Sequence, residues 1–512
     1  MTPTRLAWLM GVITSSLKLI LVWSGLPEQS LVSDDAYYYF TIAANLAAGL
    51  GPTFDGLAAT NGFHPLWQMI LVPFFHDAPA DLWLTVRLAL SLTILFDLVS
   101  GLLILRIVRH TLNEGLAAGA AFMWYVTAPT VLLGLRGMES SLSTLLLLAL
   151  LFLLVHRRLL IGAGNYRSAL YAGLTVGLCG LARTDNLPAA GLALTAVLLS
   201  APGAAGPPRR IRCVVLAALM ALIVMLPWFV WNLVNFQNLI QVSGQVKFHV
   251  ADLFGRLPWG WWNLPAASIT VLNMLFPPIM VTGVFLSGEE FAGGHWALPL
   301  NLITLAGILL ILVRGFSCRS QPSILRRVDI LFTAVWLLVH TVLYGFVWRS
   351  YASWYAHSYF ALLIVLLAGL LGSGSFMALI WRRLATGALA LVFLAQLTFY
   401  PLFFSRLNHH ARGPEKMFDQ PLQRILAIKP EGAALGAFDA GALGYVALKY
   451  PNLRVINLDG LVNNQIFAAS REGRYVDYVI ENVDFVLQDV KRFSMYLDSE
   501  DVERLRKHYG QR

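Results

Sequence analysis

Long apolar stretches separated by short polar segments run through most of the chain. An α-helix needs about 20 mostly apolar residues to cross the hydrocarbon core of a bilayer, and many of these stretches approach that length. Two shorter or displaced apolar runs, 65–75 and 265–287, are predicted to be re-entrant or interfacial segments on the outer side. Membrane-spanning helices are predicted at 6–26, 82–106, 115–134, 141–155, 169–181, 187–200, 213–231, 296–313, 328–347, 357–372 and 384–404.

The last hundred or so residues have a different pattern, in which short apolar runs alternate with polar segments. Alternation of strands and helices is typical of a parallel sheet. We therefore predict a mostly α polytopic membrane protein, with about eleven transmembrane helices in residues 1–404 and a small C-terminal α/β domain in residues 405–512. In that domain strands are predicted at 434–438, 454–458 and 484–487, and helices at 440–449, 464–480 and 493–508.

Composition supports the membrane assignment and excludes a nucleic-acid partner. Hydrophobic residues make up 57% of the 512 residues, charged residues make up 13%, and the mean hydropathy is +0.66. The net charge of +9 comes from short basic clusters between apolar stretches. Such clusters are typical of anchors at a membrane surface, so we expect membrane lipids and no nucleic acid as partners.

The positions of the basic clusters predict the orientation of the chain. Cytoplasmic loops of membrane proteins are enriched in Lys and Arg. The clusters fall on alternate loops, which places the amino terminus in the cytoplasm and residues 405–512 outside. We expect a multi-pass protein of the bacterial inner (plasma) membrane with an extracytoplasmic active site and C-terminal domain.

Residues 27–81 form the first long outer loop and contain no Lys or Arg. The run Ser-Asp-Asp-Ala-Tyr-Tyr-Tyr-Phe occupies positions 33–40 of this loop. The adjacent carboxylates Asp34 and Asp35 could provide a general base, bind a divalent cation through oxygen ligands, or only solvate an exposed loop. Because the side chains of neighbouring residues diverge, we expect one carboxylate to be the base and the other a ligand or an orienting group.

The residues after the acidic pair are candidates for substrate binding. Tyr37 and Tyr38 have aromatic faces that suit sugars, although an aromatic belt at the membrane interface explains them equally well. Tight-turn dipeptides at 55–56 and 61–62 would fold the loop and bring Asn61 and His64 near the acidic pair. His64 is a candidate ligand for substrate or for a divalent cation such as Mg or Mn, and capping a helix is its structural alternative.

Several segments of the chain together look like those of a known family. They are 33–39, Thr-Asn-Gly-Phe-His-Pro-Leu-Trp at 60–67, Arg-Gly-Met-Glu-Ser at 136–140, Asp-Ala-Gly at 439–441 and Leu-Asp-Gly-Leu at 458–461. These segments are most similar to the branch of the membrane-embedded GT-C glycosyltransferases that contains the mycobacterial terminal β-(1→2) arabinofuranosyltransferase. The number of spans, the cytoplasmic amino terminus and the outer C-terminal domain also resemble this family.

The resemblance implies transfer of a sugar, with inversion, from a polyprenyl-phosphate donor to a cell-envelope glycan or glycolipid acceptor. The sugar would be arabinofuranose or another pentose or hexose. In the family, an Asp of the first outer loop takes the proton from the acceptor hydroxyl, and this role falls on Asp34 or Asp35. Some members need a divalent metal at the acidic motif and others do not, so a cation held by Asp34, Asp35 and His64 stays an open alternative.

Negative charge accumulates on the leaving phosphate, so the reaction requires a cation near it. Arg136 beside Glu139, and Arg183 beside Asp185, are equally explained as internal ion pairs that fix helix packing. The candidates for binding the donor phosphate are Arg136 and Arg183 in short outer turns, Lys247 in the second outer loop at 232–295, and Arg349 and His357 at the outer interface.

Two carboxylates of the C-terminal domain follow predicted strands. Asp439 and Asp459 lie where ligand-binding residues of α/β sheets tend to occur, which predicts contact with the acceptor glycan. Plain strand-to-helix turns or caps are the structural alternative.

A transporter or flippase of a lipid-linked saccharide is the alternative function. Transporters often carry ionisable groups near the middle of their spans and are often built from duplicated halves. Here the mid-span charges are chiefly Lys18 and Asp97, and no duplication is visible in the sequence. The glycosyltransferase hypothesis is therefore preferred.

Overall fold

A computed structural model gives the fold of the chain, which is mostly helical. Its N-terminal part is a helical bundle, and its C-terminal part is a small three-layer α/β unit. The structure describes residues 2–25, 32–156, 165–200, 207–247, 327–344, 353–372, 413–487 and 499–510, together with Phe493 and Leu497.

The helical bundle follows the apolar stretches of the sequence closely. Among the described residues three helices are long and apolar enough to cross a membrane, and several shorter apolar helices accompany them. The stretches 265–287, 296–313 and 384–404 lie outside the described residues. The helices are α1 (Pro3–Trp23), α2 (Asp34–Ala47), α3 (Pro65–Leu71), α4 (Leu82–Thr111), α5 (Glu114–Val126), α6 (Ala128–Leu133), α7 (Ser140–His156), α8 (Tyr166–Ala182), α9 (Asn186–Ser200), α10 (Pro207–Phe236), α11 (Val328–Val342) and α12 (Ala356–Gly372).

One predicted span is divided into two helices. The apolar stretch 115–134 forms α5 and α6, which are separated by Thr127 in an extended conformation. Pro129 lies in the first turn of α6. A proline is tolerated in a first turn, but in the interior of one continuous helix it would remove a backbone hydrogen bond and clash with the preceding turn.

Residues 32–81, which belong to the loop predicted to lie on the outer side and called the outer loop below, are more helical than the sequence suggests. The acidic-aromatic run forms α2, and residues 65–71 form α3, which continues into a 3-10 turn at Val72–Phe74. Helix α2 is buried on all sides along most of its length, and Phe40 stacks on Phe75 with ring centroids 5.1 Å apart. A helix that is covered all round lacks the one-sided apolar pattern by which helices are recognised.

The C-terminal unit contains a parallel sheet with strand order β2-β1-β3, which confirms the predicted sheet. Strand β1 is buried along its whole length, as expected for the central strand of a covered parallel sheet. The predicted helix 464–480 is divided near Gly473, whose φ of 71° is unfavourable for other residues. The elements are α13 (Pro414–Ile428), β1 (Ala433–Ala437), α14 (Gly441–Ala447), β2 (Leu453–Asn457), α15 (Asn464–Arg471), α16 (Tyr475–Asn482), β3 (Phe485–Val486) and α17 (Ser499–Tyr509).

The bundle and the C-terminal unit share one apolar core around α2. Tyr445 of α14 packs against Tyr37 with ring centroids 5.4 Å apart, and its hydroxyl donates to the carbonyl of Leu82 at 2.7 Å. At Gly62, an added Cβ would lie 2.0 Å from the carbonyl oxygen of Leu461. The outer loop and the C-terminal unit are therefore in direct backbone contact.

A charged cluster lies buried inside the bundle. Lys18 Nζ of α1 contacts Asp97 Oδ2 of α4 at 3.0 Å and donates to the carbonyl of Thr130 at the same distance. His357 Nε2 of α12 lies 2.8 Å from the other oxygen, Asp97 Oδ1. The two mid-span charges seen in the sequence therefore neutralise each other, and together with His357 they join helices α1, α4 and α12.

Candidate active site

The acidic pair begins helix α2. Ser33 precedes the helix in an extended conformation, and Asp34 and Asp35 occupy its first turn, where negative charge is favoured by the helix dipole. Successive side chains of a helix point about 100° apart around its axis. The two carboxylates therefore face different surroundings, as the sequence led us to expect.

Asp34 faces the C-terminal unit. Its Oδ2 accepts from the amide of Gly441 at 3.0 Å, and its Oδ1 accepts from the amide of Ala442 at 2.8 Å. Burial raises the pKa of Asp34 to about 7, although the two amides act in the opposite direction. Asp34 thus caps helix α14 and connects the outer loop to the C-terminal unit.

Asp35 faces a cavity between the bundle and the C-terminal unit. No hydrogen bond within the described residues occupies its carboxylate. Burial raises the pKa of Asp35 to about 6; the positive charge of Lys247 lowers it, and the charge of Asp459 raises it further. The cavity has a volume of about 50 Å³ and opens to solvent. It is lined by Asp35, Tyr38, Tyr39, Gly62, Phe63, His64, Met138, Glu139, Ser243, Lys247, Trp354, Tyr355, Leu461 and Val462.

Lys247 supplies the positive charge of this cavity. Its ammonium group donates to the hydroxyl of Tyr355 and lies 4.8 Å from the centre of that ring. Burial lowers the pKa of Lys247, but Tyr355 and Asp35 raise it above its ordinary value, so the ammonium stays charged. No carboxylate of the described residues forms an ion pair with it.

Arg183 is held in a buried network and is not directed at an open site. It contacts Glu139 Oε1 at 2.6 Å, and it binds both oxygens of Asp185 at 3.1 Å. It also donates to the hydroxyl of Tyr344 at 2.7 Å and lies 4.3 Å from the ring centre of Tyr355. Arg183 therefore forms an internal ion pair, which was the structural alternative for this residue. Its partners are both Asp185 and Glu139.

His64 lies at the start of α3 and lines the cavity. Its Nδ1 faces the amide of Thr184 and the side-chain nitrogen of Gln241, each at 3.3 Å. Because a backbone amide can only donate, Nδ1 is unprotonated and Nε2 carries the proton of the neutral ring. Burial lowers the pKa of His64 to about 4, and its Nε2 lies 3.8 Å from Glu139 Oε1.

The carboxyl ends of β1 and β2 meet the outer loop at Tyr38. The hydroxyl of Tyr38 accepts from the amide of Ala440 at 2.9 Å and donates to Asp459 Oδ2 at 3.3 Å. Asp459 also accepts from the amides of Asp439 and Leu461, at 3.2 and 2.9 Å. Asp459 therefore organises the turn after β2, while Asp439 has a φ of 44°.

Other predicted binding residues occupy different surroundings. Tyr37 packs in the core against Phe40 and Tyr445 and lies outside the lining of the cavity. Asn61 is buried; its Nδ2 donates to Asn232 at 3.0 Å and its Oδ1 accepts from the side chain of Asn464 at 2.9 Å. Tyr37 and Asn61 therefore hold the surrounding segments together.

Of the remaining phosphate-binding candidates, His357 and Arg136 do not line the cavity. His357 lies in the buried cluster with Lys18 and Asp97. Arg136 is half-buried after α6, where its carbonyl accepts from the amide of Ser33 at 3.0 Å and burial lowers its pKa to about 10. Arg349 lies outside the described residues. Lys247 is thus the predicted cation that lines the cavity in the part of the chain described.

The proposed metal ligands do not assemble. Within the described ranges no three His, Cys, Asp or Glu side chains come together as ligands. Both oxygens of Asp34 already accept backbone amides, and Nδ1 of His64 faces two nitrogen donors. The described residues therefore do not bring Asp34, Asp35 and His64 together as ligands, and a divalent cation at the acidic motif stays a prediction.

Sequence reasoning missed the position of Glu139 in the cavity wall. The sequence paired Glu139 with Arg136 because the two are neighbours, whereas its ion pair is with Arg183, 44 positions away. The segment Arg-Gly-Met-Glu-Ser at 136–140 was nevertheless among those that resembled the family, which is the signal that could have identified Glu139.

Comparison with known proteins supports the fold. No protein-family model matches the chain, and no curated protein matches its sequence. The apo oligosaccharyltransferase of Archaeoglobus fulgidus matches with a TM-score of 0.55 at 15% identity, over 98% of this chain and 72% of that one. ArnT from Cupriavidus metallidurans, bound to undecaprenyl phosphate, matches with a TM-score of 0.52 at 17% identity, over 94% of this chain and 90% of that one.

Two further structures bear on the sequence predictions. The arabinofuranosyltransferase AftD from Mycobacteria aligns with a TM-score of 0.42 over 34% of its own length, which is too weak to assign this chain to a branch. The Archaeoglobus enzyme has also been crystallised with zinc and sulfate. The choice of sugar stays a prediction from the sequence motifs.

Proposed function

We propose, because the chain has the GT-C fold of these membrane enzymes, that it is an inverting glycosyltransferase. It would move a sugar from a polyprenyl-phosphate donor to a cell-envelope glycan or glycolipid on the outer face of the bacterial inner membrane. The motif resemblance favours arabinofuranose, with another pentose or a hexose as the alternative. Residues 1–404 would form the transmembrane domain and 405–512 the extracytoplasmic one.

One observation carries the assignment of roles: Asp35 and Lys247 line the same cavity, while Asp34 is occupied elsewhere. A general base needs a carboxylate that is free to reach the acceptor hydroxyl. A departing phosphate needs a positive charge, which stabilises the transition state. Asp35 and Lys247 have these properties, so we assign them as the base and the phosphate-binding cation.

The proposed reaction is a single displacement. Asp35 takes the proton of an acceptor hydroxyl as its oxygen forms a bond to the anomeric carbon of the sugar. The bond between that carbon and the phosphate oxygen breaks, and its electron pair leaves with the polyprenyl phosphate, which Lys247 stabilises. Attack from the face opposite the leaving group inverts the anomeric configuration.

The test uses the full chain reconstituted in lipid nanodiscs. Radiolabelled polyprenyl-phosphate donors carrying arabinofuranose, another pentose or a hexose are supplied with a synthetic arabinan acceptor, and sugar transfer is measured. Lys247→Met should lower transfer by about 10- to 100-fold, as expected for loss of a hydrogen-bonded charge. Lys429→Met is the matched control, since Lys429 forms a partly exposed ion pair with Asp484 at 2.8 Å.

A second arm distinguishes a flippase. Sealed proteoliposomes are loaded with the same donors in one leaflet, and the donor in each leaflet is followed by periodate oxidation. Movement across the bilayer with the sugar-phosphate bond intact, and no transfer to any acceptor, would overturn the proposal. Full activity of Lys247→Met would remove the role assigned to Lys247.

A further inference from the structure

Glu139 has an unsatisfied oxygen in the wall of the cavity. The residue is 1% exposed and lines the cavity with Asp35, His64 and Lys247. Its Oε1 accepts from Arg183, but its Oε2 is buried and has no hydrogen-bond partner among the described residues. A buried acceptor left in this state keeps the full cost of its lost hydration, which makes a partner from outside the chain favourable.

The carboxylate of Glu139 cannot easily turn to find another donor. Arg183 holds Oε1 at 2.6 Å and is itself held by both oxygens of Asp185 and by the hydroxyl of Tyr344. The ring of Tyr355 covers the guanidinium at 4.3 Å. Rotation of Glu139 would therefore break a buried ion pair, which is more costly than leaving Oε2 unpaired.

Two neighbours come near Glu139 without satisfying Oε2. His64 Nε2 lies 3.8 Å from Oε1, beyond hydrogen-bond distance. Burial, the charge of Glu139 and a side-chain hydrogen bond towards Glu139 raise the pKa of Tyr39, whose hydroxyl also accepts from the amide of His64 at 3.3 Å. Tyr39 is therefore the alternative donor to Glu139 within the chain.

The chemistry of Oε2 defines the group that it would bind. A carboxylate can only accept hydrogen bonds, so its partner must donate one, and a phosphate is disfavoured by charge. Trp354, on the same cavity lining, has a buried Nε1 donor that also lacks a partner among the described residues. Hydroxyl groups both donate and accept, so a polyhydroxylated ligand matches both atoms.

We infer that Glu139 binds a hydroxyl group of a sugar through Oε2 and thereby orients that sugar between Asp35 and Lys247. This inference rests on the proposed function. Glu139 acts as a positioning residue, with Arg183 fixing its orientation and the proton of the reaction passing to Asp35. The hydroxyl belongs to the donor sugar or to the acceptor, since both carry the same group.

The test measures binding, so that it does not depend on turnover. Tryptophan fluorescence of the purified chain in detergent is titrated with bare polyprenyl phosphate, with polyprenyl phosphoarabinofuranose, with polyprenyl phosphomannose and with a synthetic arabinan acceptor. Glu139→Gln retains the size of the side chain and an oxygen for Arg183 but presents donors at the other position. Tyr39→Phe is the matched variant.

We expect Glu139→Gln to weaken binding of a sugar-bearing ligand by about 10- to 100-fold while leaving bare polyprenyl phosphate unchanged. If Glu139→Gln binds the lipid-linked sugars more weakly, the hydroxyl belongs to the donor. If it binds the arabinan more weakly, the hydroxyl belongs to the acceptor. Equal weakening of the bare and the sugar-bearing lipid, no weakening at all, or the same loss in Tyr39→Phe would overturn the inference.

The outcome also separates this inference from the proposed function. If the wild-type chain binds a sugar-bearing ligand more tightly than the bare lipid, and Glu139→Gln retains that preference, the inference alone fails. If the wild-type chain shows no preference and does not bind the arabinan, both fail.

Discussion

Substitution of each Asp of the acidic pair by Asn should separate catalysis from architecture. Asp35→Asn removes the base without changing the size of the side chain, and loss of general-base catalysis typically lowers a rate by about 10²- to 10⁴-fold. Asp34→Asn leaves one of two amides, of Gly441 or Ala442, without a carboxylate oxygen. We expect it to cost about 1–3 kcal/mol, the usual cost of leaving a buried amide without an acceptor.

The two variants therefore predict different measurements. Asp35→Asn should lower the transfer rate and leave the thermal midpoint of unfolding close to that of the wild type. Asp34→Asn should lower the thermal midpoint and reduce the transfer rate by less than about 10-fold at temperatures where the chain stays folded. A fully active Asp35→Asn enzyme would refute the assignment of the base.

The pH dependence of the transfer rate is a second test of the assignment of Asp35 as the general base. The pKa of Asp35 is raised to about 6, and only its ionised form can take a proton. The transfer rate should therefore fall as the pH drops below about 6, and Asp35→Asn should lack this acid limb while Asp34→Asn retains it. An unchanged acid limb in Asp35→Asn would show that another group controls it.

The stability of the chain should also depend on pH through Asp34. Its pKa is about 7 in the folded chain, above the ordinary value of 3.8, so the folded state binds the proton more tightly than the unfolded state. The resulting stabilisation is fully present below about pH 4 and is lost as the pH rises to about 7. In Asp34→Asn, the thermal midpoint of unfolding should therefore change less with pH over this interval. An unchanged pH dependence of the midpoint would contradict the linkage.

Two further predictions concern packing. Lys18→Met leaves Asp97 with His357 as its remaining side-chain partner and should cost about 3–5 kcal/mol in unfolding free energy. Adding Asp97→Asn should recover much of this loss, as measured by thermal unfolding in detergent; a single variant as stable as the double would contradict this. Gly62→Ala places a Cβ 2.0 Å from a backbone carbonyl and should expose the C-terminal unit to limited proteolysis and abolish transfer, whereas Gly119→Ala, which meets open space, should do neither.

The helices and the sheet could largely be predicted because each is encoded locally. Apolar length predicted the helices of the bundle, and short apolar runs ending in polar turns predicted β1 and β2. Helix α2 was not predicted as a helix, because it is covered on one side by the bundle and on the other by the C-terminal unit. Its sequence has no polar face to indicate a period, so the information lies in contacts between distant segments.

The types of residue in the site could be predicted from the sequence, but the contacts between them could not. The acidic pair and Lys247 were selected from charge and position, and both line or adjoin the cavity. The different roles of Asp34 and Asp35 depend on the amide of Gly441, which binds Asp34. The ion pair of Arg183 with Glu139 depends on how two helices pack. Such pairings join residues far apart in sequence, and spacing carries no information about them.

The bond between Asp34 and Gly441 also has a consequence for the timing of synthesis. Its two partners are separated by 407 positions. At about 5–20 residues per second, the ribosome needs roughly 20–80 s to make the intervening chain. During that interval the carboxylate of Asp34 lacks its partner Gly441, and the cavity lacks the wall that Leu461 and Val462 provide. The C-terminal unit is therefore the part of the chain that completes the cavity wall, and a growing chain has that wall only after Leu461 and Val462 have been made.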